Sequence, residues 1–286
     1  MRVATLAATG TDDVGETSSV ASDATFDSGL AAALGTYLEI VDEVAAGLVE
    51  GLYVVGSAAL DDWHPLHSDI DIVAVTAEPA TEADAAQLRM AHALLAERQP
   101  LPHIDGPYVA WGDLIIEPTV SHRPWVFAGE LHHDAECFEI NPITWYTLAT
   151  YGITVRGALP ASLGISTDTE ARIRFVIENL NTYWRTSQQV VASGCASGRQ
   201  FTPADLEWCA LGTLRLHYTA FTADVSSKSA AGQYGLDVTP TRFHDVIREA
   251  LCSRSGIDVG LPASALMTRC AELMTWVIDD VNTASA

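Results

Sequence analysis

The spacing of apolar residues changes several times between residues 26 and 155, and it predicts helices that alternate with strands. Between 26 and 50, apolar residues recur at steps of three and four, which is typical of one face of an amphipathic helix. The runs 52–55 and 70–75 are short and rich in β-branched residues, so they predict buried strands. The remaining elements predicted in this part are helices at 58–63, 81–99 and 141–151, an extended segment at 102–111, and strands at 114–120 and 153–155.

The second half of the chain has helical periodicity, interrupted by loops rich in Gly and Ser. The predicted helices span 171–192, 205–222, 242–254 and 263–283. The change of pattern places a domain boundary near residue 158. We therefore predict an α+β protein, in which a mixed sheet with flanking helices at 26–158 precedes a helical bundle at 159–286. The first 25 residues are mostly small and polar and predict a disordered tail.

The charge balance narrows the range of partners. Fifteen Lys and Arg residues against 37 Asp and Glu residues give a formal net charge of −22. Such an acidic protein repels a phosphate backbone and attracts cations, so we expect a cationic small molecule as partner and no nucleic acid. The five cysteines form no C-x-x-C pair, and no apolar run approaches the ~20 residues of a membrane span. These features predict a cytoplasmic protein with reduced thiols and no membrane partner, and we expect a monomer.

Two short motifs next to the first two predicted strands carry the candidate chemistry. Gly56-Ser57 follows the first strand and leads into a helix, so its backbone N–H groups favour a phosphate, and Gly56 lets a ligand approach closely. Asp69 and Asp71 lie at the start of the second strand. Because side chains alternate along a strand, the two carboxylates share one face, about 6–7 Å apart, where they can hold hard divalent cations. An isolated D-x-D pair is more often a solvated strand face, and the Gly-Ser turn is what favours a metal–nucleotide site.

The stretches Leu52-Tyr-Val-Val-Gly-Ser-Ala-Ala-Leu and His67-Ser-Asp-Ile-Asp-Ile-Val together resemble the signature of the DNA polymerase β-like nucleotidyltransferase superfamily. Within it, the sequence is most similar to the aminoglycoside adenylyltransferases that modify streptomycin and spectinomycin. The resemblance extends from about residue 52 to about residue 256, with weaker motifs after residue 120. It implies transfer of a nucleoside monophosphate from a nucleoside triphosphate to a hydroxyl, with pyrophosphate as the leaving group.

The resemblance also implies roles for individual residues. By this analogy Asp69 and Asp71 hold two Mg²⁺ ions, while Ser57 and Ser68, together with Gly56, contact the phosphates of ATP. Such ions clamp the α-phosphate, neutralise charge on the leaving pyrophosphate and lower the pKa of the attacking hydroxyl.

A third carboxylate is expected on the next strand, because the superfamily uses one as a metal ligand or general base. Asp105 is the candidate, at a position where the closest relatives carry a glutamate. Gly106-Pro107 follows it directly, which is unusual in a central strand because Pro donates no ladder hydrogen bond. Asp113 and Glu117 are the fallback candidates, and the alternative interpretation makes Asp105 a turn residue before Gly106.

Lysine usage gives an independent indication of a phosphate contact. The chain has 14 arginines and a single lysine, Lys228, which lies in a Ser-rich stretch where a compact positive charge suits a phosphate. The resemblance implies that Lys228, and Arg215 thirteen residues before it, contact the triphosphate. Chance retention of the lysine and an exposed helix arginine are the alternatives.

A cationic acceptor needs a carboxylate, and Asp205 and Glu207 near the start of a predicted helix are placed to offer one. Asp205 equally suits an ordinary helix N-terminus. The function that we expect is Mg²⁺-dependent transfer of AMP from ATP to a hydroxyl of an aminoglycoside-type antibiotic. The alternatives are a nucleotidyltransferase that modifies a protein, as in toxin–antitoxin systems, or another small molecule, and a non-catalytic nucleotide-binding module.

Overall fold

The computed structural model describes residues 27–65, 67–119, 122–257 and 263–285. Its internal contacts divide the chain into two compact units, a sheet unit that ends at Thr167 and a helical unit that begins at Asp168. The predicted disordered tail at 1–25 lies outside the described residues. The predicted domain limits of 26–158 and 159–286 stay a prediction.

The sheet unit contains a six-stranded mixed sheet with helices, and this confirms the α+β prediction. Its helices are α1 (Ser28–Val44), α2 (Gly56–Ala59), α3 (Glu82–Arg98), α4 (Trp111–Leu114) and α5 (Pro142–Tyr151). Its strands are β1 (Gly51–Val54), β2 (Ile70–Thr76), β3 (Ile104–Ala110), β4 (Trp125–Phe127), β5 (Glu130–His132) and β6 (Ile153–Arg156). The strand order is β5-β4-β3-β2-β1-β6; β2 and β3 are parallel, and the other neighbouring strands are antiparallel.

The central strands β1 and β2 are buried on both faces, which explains their nearly continuous apolar sequence. Leu52 and Val54 face a core that α1 and α3 complete. Tyr53 and Val73 face a second core, which includes the fully buried Trp145 of α5. Two-sided burial fixes the register of β1 against β2, because a one-residue shift would exchange the two faces.

The edge of the sheet beyond β3 differs from the prediction. The predicted strand at 114–120 is wrong for its described part, because α4 ends at Leu114 and residues 115–119 form no strand. The sheet continues instead through the hairpin of β4 and β5, which are three residues each. Strands this short contain too few positions to show an alternating pattern.

The helical unit consists of helices grouped around one long central helix. Its elements are α6 (Thr169–Asn179), a π-helical turn (Leu180–Trp184), α7 (Arg185–Ala196), α8 (Pro203–Thr222), α9 (Lys228–Val238), a short 3-10 turn (Thr241–Phe243), α10 (His244–Arg254) and α11 (Ala263–Ala284). The central helix α8 packs against α9, α10 and α11. Of the helices described, none has both the length and the apolar character that crossing a bilayer requires.

The prediction gives no bounds for helix α9, because this helix packs through glycine rather than through large apolar residues. A Cβ added at Gly232 would lie 2.6 Å from Leu251, and one added at Gly235 would lie 2.6 Å from Leu214. These glycines let α9 approach α8 and α10 closely. The same glycines weaken the apolar periodicity on which a sequence-based helix prediction depends.

Candidate active site

The turn after β1 lies directly against Asp71 of β2. The backbone N–H of Val55 donates a hydrogen bond to the carbonyl oxygen of Asp71 at 2.9 Å, which extends the β1–β2 pairing to the turn. Gly56 follows with φ of +58°, and a Cβ built there would lie 1.8 Å from Oδ2 of Asp71. Only glycine fits both the backbone conformation and the space. The carboxylate of Asp71 therefore packs directly against the backbone of the Gly56-Ser57 turn.

The other residues predicted for this region flank that contact. Asp69 is exposed and lies immediately before β2, whereas Asp71 is half-buried within it. Ser57 lies in the first turn of α2. Ser68 closes the loop before β2, because its Oγ accepts a hydrogen bond from the N–H of His64 at 3.1 Å and its own N–H donates to the His64 carbonyl at 2.8 Å. The structure thus brings Gly56, Ser57, Ser68, Asp69 and Asp71 into one local region.

Asp105 lies beside Asp71 on the neighbouring parallel strand. The two residues are register partners in the β2–β3 pairing. The Asp105 side chain is only 4% exposed, and its oxygens accept hydrogen bonds from the N–H groups of Ala128 at 2.7 Å and Gly129 at 3.0 Å. Burial raises the pKa of Asp105 above its usual value, the two N–H groups oppose that rise, and the charge of Asp69 adds to it. The turn between β4 and β5 therefore holds the third predicted carboxylate.

The strand continues through Gly106-Pro107, so Asp105 does not lie in a turn. Gly106 has φ of +143°, and a Cβ there would lie 2.0 Å from the carbonyl oxygen of Ile72. Glycine is thus required by the close approach of β3 to β2. Pro107 faces Trp125 of β4 as its register partner. The dipeptide thus lies within a central strand and pairs in register with Val126 and Trp125 of β4.

Glu139 is a fourth carboxylate at this place, and sequence reasoning missed it. It is half-buried in the segment before α5. Burial, together with the charges of Asp71 and Asp105, raises its pKa to about 8. We call Asp69, Asp71, Asp105 and Glu139 the acidic cluster. The only local signal for Glu139 is its position between apolar residues in a loop, which is too common to single it out.

The acidic cluster has the donor chemistry for Mg²⁺ but is not a closed set of ligands. Among the described residues, no three His, Cys, Asp or Glu side chains are grouped as they would be around a metal ion. Mg²⁺ is usually held by one or two carboxylates, with water and substrate phosphates as its other ligands. Asp71 and Asp105 supply such oxygens from neighbouring strands. Burial is the main cause of the raised pKa of Glu139, and a divalent cation would offset the further rise that comes from the charges of Asp71 and Asp105.

The fallback candidates are placed elsewhere. Asp113 accepts two hydrogen bonds from Arg123, at 2.9 and 2.8 Å, and one from the N–H of Ala110 at 2.8 Å. Burial acts to raise the pKa of Asp113, but these hydrogen bonds outweigh it and the pKa lies below its usual value. Glu117 is exposed beyond α4. Asp113 thus forms an ion pair that closes the β3–α4 corner.

In the helical unit, the structure brings the segment around Arg215 next to that of Lys228. Arg215 of α8 donates from Nε to the carbonyl oxygen of Ser226 at 3.0 Å, and Lys228 is the first residue of α9. The ammonium of Lys228 donates to Oε1 of Glu207 at 3.0 Å, and Arg254 donates to the same oxygen at 3.0 Å. We call Glu207, Lys228 and Arg254 the ion triad. Glu207, predicted as an acceptor contact, is thus engaged by two cations.

Asp205 forms a helix cap and also lines a cavity. Its carboxylate accepts hydrogen bonds from the N–H and Oγ1 of Thr202, both at 2.7 Å, in a capping box at the start of α8. The cavity has a volume of about 810 Å³, and it lies within the helical unit. Its aromatic wall includes Tyr183 and Trp208, and the Trp208 ring lies 4.5 Å from that of Trp184. Trp208 is 38% exposed, which is high for so large an apolar side chain.

Comparison with known proteins finds a matching family model and a similar solved structure. Residues 36–109 match the family model of the nucleotidyltransferase domain, and this range contains β1, the Gly56-Ser57 turn, Asp71 and Asp105. The structure is similar to the crystal structure of spectinomycin adenyltransferase AAD(9) from Enterococcus faecialis with ATP and spectinomycin. The TM-score is 0.63 at 13% identity, covering 87% of this chain and 98% of that one. No curated protein sequence matches the chain. Residues 36–109 are therefore similar in sequence to a nucleotidyltransferase domain, and the chain as a whole is similar in fold to an adenyltransferase.

Proposed function

We propose that this protein transfers AMP from ATP, with Mg²⁺, to a hydroxyl of a cationic, aminoglycoside-type antibiotic and so inactivates it. The observation that carries the reaction class is the placement of Asp71. Its carboxylate lies against the Gly56-Ser57 turn on one side and next to Asp105 on the other. A turn suited to phosphate and paired carboxylates suited to a divalent cation meet at one point, as nucleotidyl transfer requires.

Asp69, Asp71 and Asp105 are the residues proposed to hold Mg²⁺. The bound ions would neutralise charge on the phosphates and favour the ionised form of the attacking hydroxyl. Asp71 is positioned by the β1–β2 pairing and by Gly56, and Asp105 by the N–H groups of Ala128 and Gly129. Fixed carboxylates lose little freedom when they bind a ligand, so the site is organised in advance.

Asp105 is also the proposed general base. Each of its oxygens accepts one backbone N–H and keeps a further lone pair for a proton or a metal ion. Burial raises its pKa, which makes it a stronger base than an exposed aspartate. In the reaction the acceptor hydroxyl gives its proton to Asp105 and its oxygen bonds to the α-phosphorus. The bond from that phosphorus to the β-phosphate oxygen breaks, and pyrophosphate leaves.

Ser57, Ser68, Arg215 and Lys228 are proposed as contacts of the triphosphate, with Gly56 allowing its approach. Ser57 follows Gly56 in the turn, and Ser68 precedes the acidic pair. Lys228 carries the only lysine ammonium of the chain and begins α9, where the helix dipole also favours an anion. ATP as the donor is supported by the structural neighbour, which was crystallised with ATP.

The acceptor is proposed to be cationic because of the charge and the aromatic cavity. The net charge of −22 favours the approach of a polycation. In the helical unit, the 810 Å³ cavity combines the Asp205 carboxylate with the exposed rings of Tyr183 and Trp208. Aromatic faces and a carboxylate together suit an ammonium-bearing sugar ring. The neighbour crystallised with spectinomycin supports this class of acceptor.

The test is pyrophosphate release from ATP and Mg²⁺, with and without streptomycin, spectinomycin and a wider aminoglycoside panel. We expect release only with a matching antibiotic, and mass spectrometry should then find one added AMP on it. The Asp71→Asn protein, prepared identically, is the control for contaminating activity. Transfer of AMP to a protein instead, or ATP binding without release with any acceptor, would contradict the proposal.

A further inference from the structure

Glu207 joins three helices through one oxygen atom. It lies in the second turn of α8, and its Oε1 accepts hydrogen bonds from Lys228 at the start of α9 and from Arg254 at the end of α10, each at 3.0 Å. Glu207 is 8% exposed and Arg254 is 3% exposed. Because a buried carboxylate requires partners, the position of its head group is tightly determined.

Lys228 is the accessible member of the ion triad. Its side chain is 29% exposed, against 3% for Arg254. A lysine ammonium has three donor hydrogens, so the bond to Glu207 leaves donors for a second anion. A free lysine side chain also loses considerable rotamer freedom when a ligand fixes it. The bond to Glu207 removes part of that freedom before any ligand arrives.

We propose that Glu207 is a positioning residue for the nucleotide, which holds the Lys228 ammonium where it meets the triphosphate. This inference rests on the proposed function, in which Lys228 contacts the phosphates. Arg254 keeps Glu207 in place from the interior, and Glu207 in turn orients Lys228. Glu207 does not touch the substrate in this scheme, and its effect on binding passes entirely through Lys228.

A purely structural role for Glu207 makes a different prediction. In that case Glu207 would only connect α8 to α10 through Arg254, and its loss would weaken the helical unit as a whole. Nucleotide binding would then suffer whether or not Lys228 is present. A double-mutant cycle separates the two roles, because residues that act through each other do not have additive effects.

The experiment compares Glu207→Gln, Lys228→Ala and the double variant of the full chain. The KM for ATP and kcat are measured, together with the equilibrium affinity for a non-hydrolysable ATP analogue. We expect Glu207→Gln to raise the KM about 3- to 10-fold, as for the ordering of one long side chain, with a smaller change in kcat. In the Lys228→Ala background the same change should have almost no further effect.

Two more variants keep the result interpretable. Glu207→Asp keeps the charge opposite Arg254 but shortens the side chain by one methylene, so it should fold and still raise the KM. Glu272→Gln, at an exposed position of α11, is the matched control and should leave both constants unchanged. Thermal melting of each protein fixes an assay temperature at which all are folded.

The outcomes separate the inference from the proposed function. An unchanged KM in Glu207→Gln and Glu207→Asp would overturn the inference, and so would an equal rise in the presence and absence of Lys228. If Lys228→Ala by itself leaves nucleotide affinity unaltered, the proposed phosphate contact fails, and the positioning role fails with it. A large effect of Lys228→Ala with additive effects of Glu207→Gln would refute the positioning role alone.

Discussion

The acidic cluster of the sheet unit and the ion triad of the helical unit both bring charged side chains together, but they differ in how the charge is compensated. In the ion triad, Glu207 has an opposite charge 3.0 Å away on each of two sides. In the acidic cluster, burial and the neighbouring carboxylates raise the pKa of Glu139 to about 8. Asp105 is held there by backbone N–H groups.

Under the proposed function, the acidic cluster lacks a counter-charge until a cation binds, whereas Glu207 of the ion triad is already paired within the protein. Burial of an ionised carboxylate and like charges placed close to it both lower the stability of the folded state, and a raised carboxyl pKa reflects both costs. Structures maintain such an arrangement where something of opposite charge binds. We therefore expect substitutions in the acidic cluster to lower kcat without lowering the free energy of unfolding. Substitutions in the ion triad should lower the free energy of unfolding and also weaken nucleotide binding.

The largest expected effect is that of Asp71→Asn. The change removes a proposed metal ligand at nearly constant volume, so kcat should fall by about a thousandfold or more, which corresponds to roughly 4 kcal/mol of charge stabilisation. The free energy of unfolding should stay the same or increase, because one repulsive charge next to Glu139 is gone. Steady-state kinetics and denaturant unfolding measure the two quantities.

The matched control is Asp42→Asn in the same unit. Asp42 accepts two hydrogen bonds from Arg156, which hold the pKa of Asp42 below its usual range. Loss of this exposed ion pair should cost up to about 1 kcal/mol of stability and leave kcat unaltered. Wild-type turnover in Asp71→Asn would remove the acidic cluster from the proposed active site.

The second-largest expected effect is that of Gly56→Ala, which tests the contact between the Gly56-Ser57 turn and the Asp71 carboxylate. The added Cβ would collide with the carboxylate, because it falls 1.8 Å from Oδ2, and φ of +58° is strained for alanine. We expect a loss of about 1–3 kcal/mol in stability and about a hundredfold in kcat. Gly35→Ala in α1 is the control, since nothing lies within 4 Å of its added Cβ and alanine favours a helix. A Gly56→Ala enzyme with unchanged kcat would show that the turn need not touch Asp71.

The third prediction tests, by thermal stability rather than by activity, whether Mg²⁺ binds the acidic cluster. A cation that binds the acidic cluster stabilises the folded protein, by about 1.4 kcal/mol at ten times its Kd, or by a few degrees in Tm. The shift should be present in wild type and in Lys228→Ala but lost in Asp71→Asn. Na⁺ at equal ionic strength is the control for general screening of the acidic surface. An equal Mg²⁺ shift in Asp71→Asn would place the bound ion elsewhere.

The parts of the structure that the sequence predicts are those with a local signal. The strands β1 and β2 are continuous apolar runs, and Gly56 and Asp71 belong to short motifs next to them. Because the two strands pair directly, local patterns are enough to place the turn beside the carboxylates. The helices of the second half are predicted for the same reason, except for the glycine-rich α9.

The missed features depend on contacts between distant parts of the chain. Asp105 is held by a hairpin 23 and 24 residues later, and that hairpin consists of strands too short to recognise. Glu139 reaches the same cluster from a loop. Arg254 meets Glu207 across 47 residues, from another helix. Nothing in the spacing of these residues indicates that they meet, because only the packing of complete elements brings them together.

The smallest expected effect concerns Asp205, for which a helix cap and an acceptor contact are both possible roles. The sheet unit contains a matched capping box: Asp84 accepts from the N–H of Thr81 at 2.8 Å, and Asp205 accepts from that of Thr202 at 2.7 Å. Asp84→Asn and Asp205→Asn should therefore cost similar stability, about 0.5–1 kcal/mol each, because both caps lose a favourable charge at a helix N-terminus.

Only the acceptor kinetics distinguish these two aspartates. Asp205 lines the aromatic cavity of the helical unit, so Asp205→Asn should also raise the KM for a cationic acceptor, by about two- to fivefold for the loss of one exposed ion pair. Asp84→Asn should leave that KM unchanged. Equal KM values in the two variants, measured with the antibiotic that supports turnover, would reduce Asp205 to a helix cap. A difference between two chemically matched caps would have no explanation in helix stability, and it would locate acceptor recognition in the helical unit.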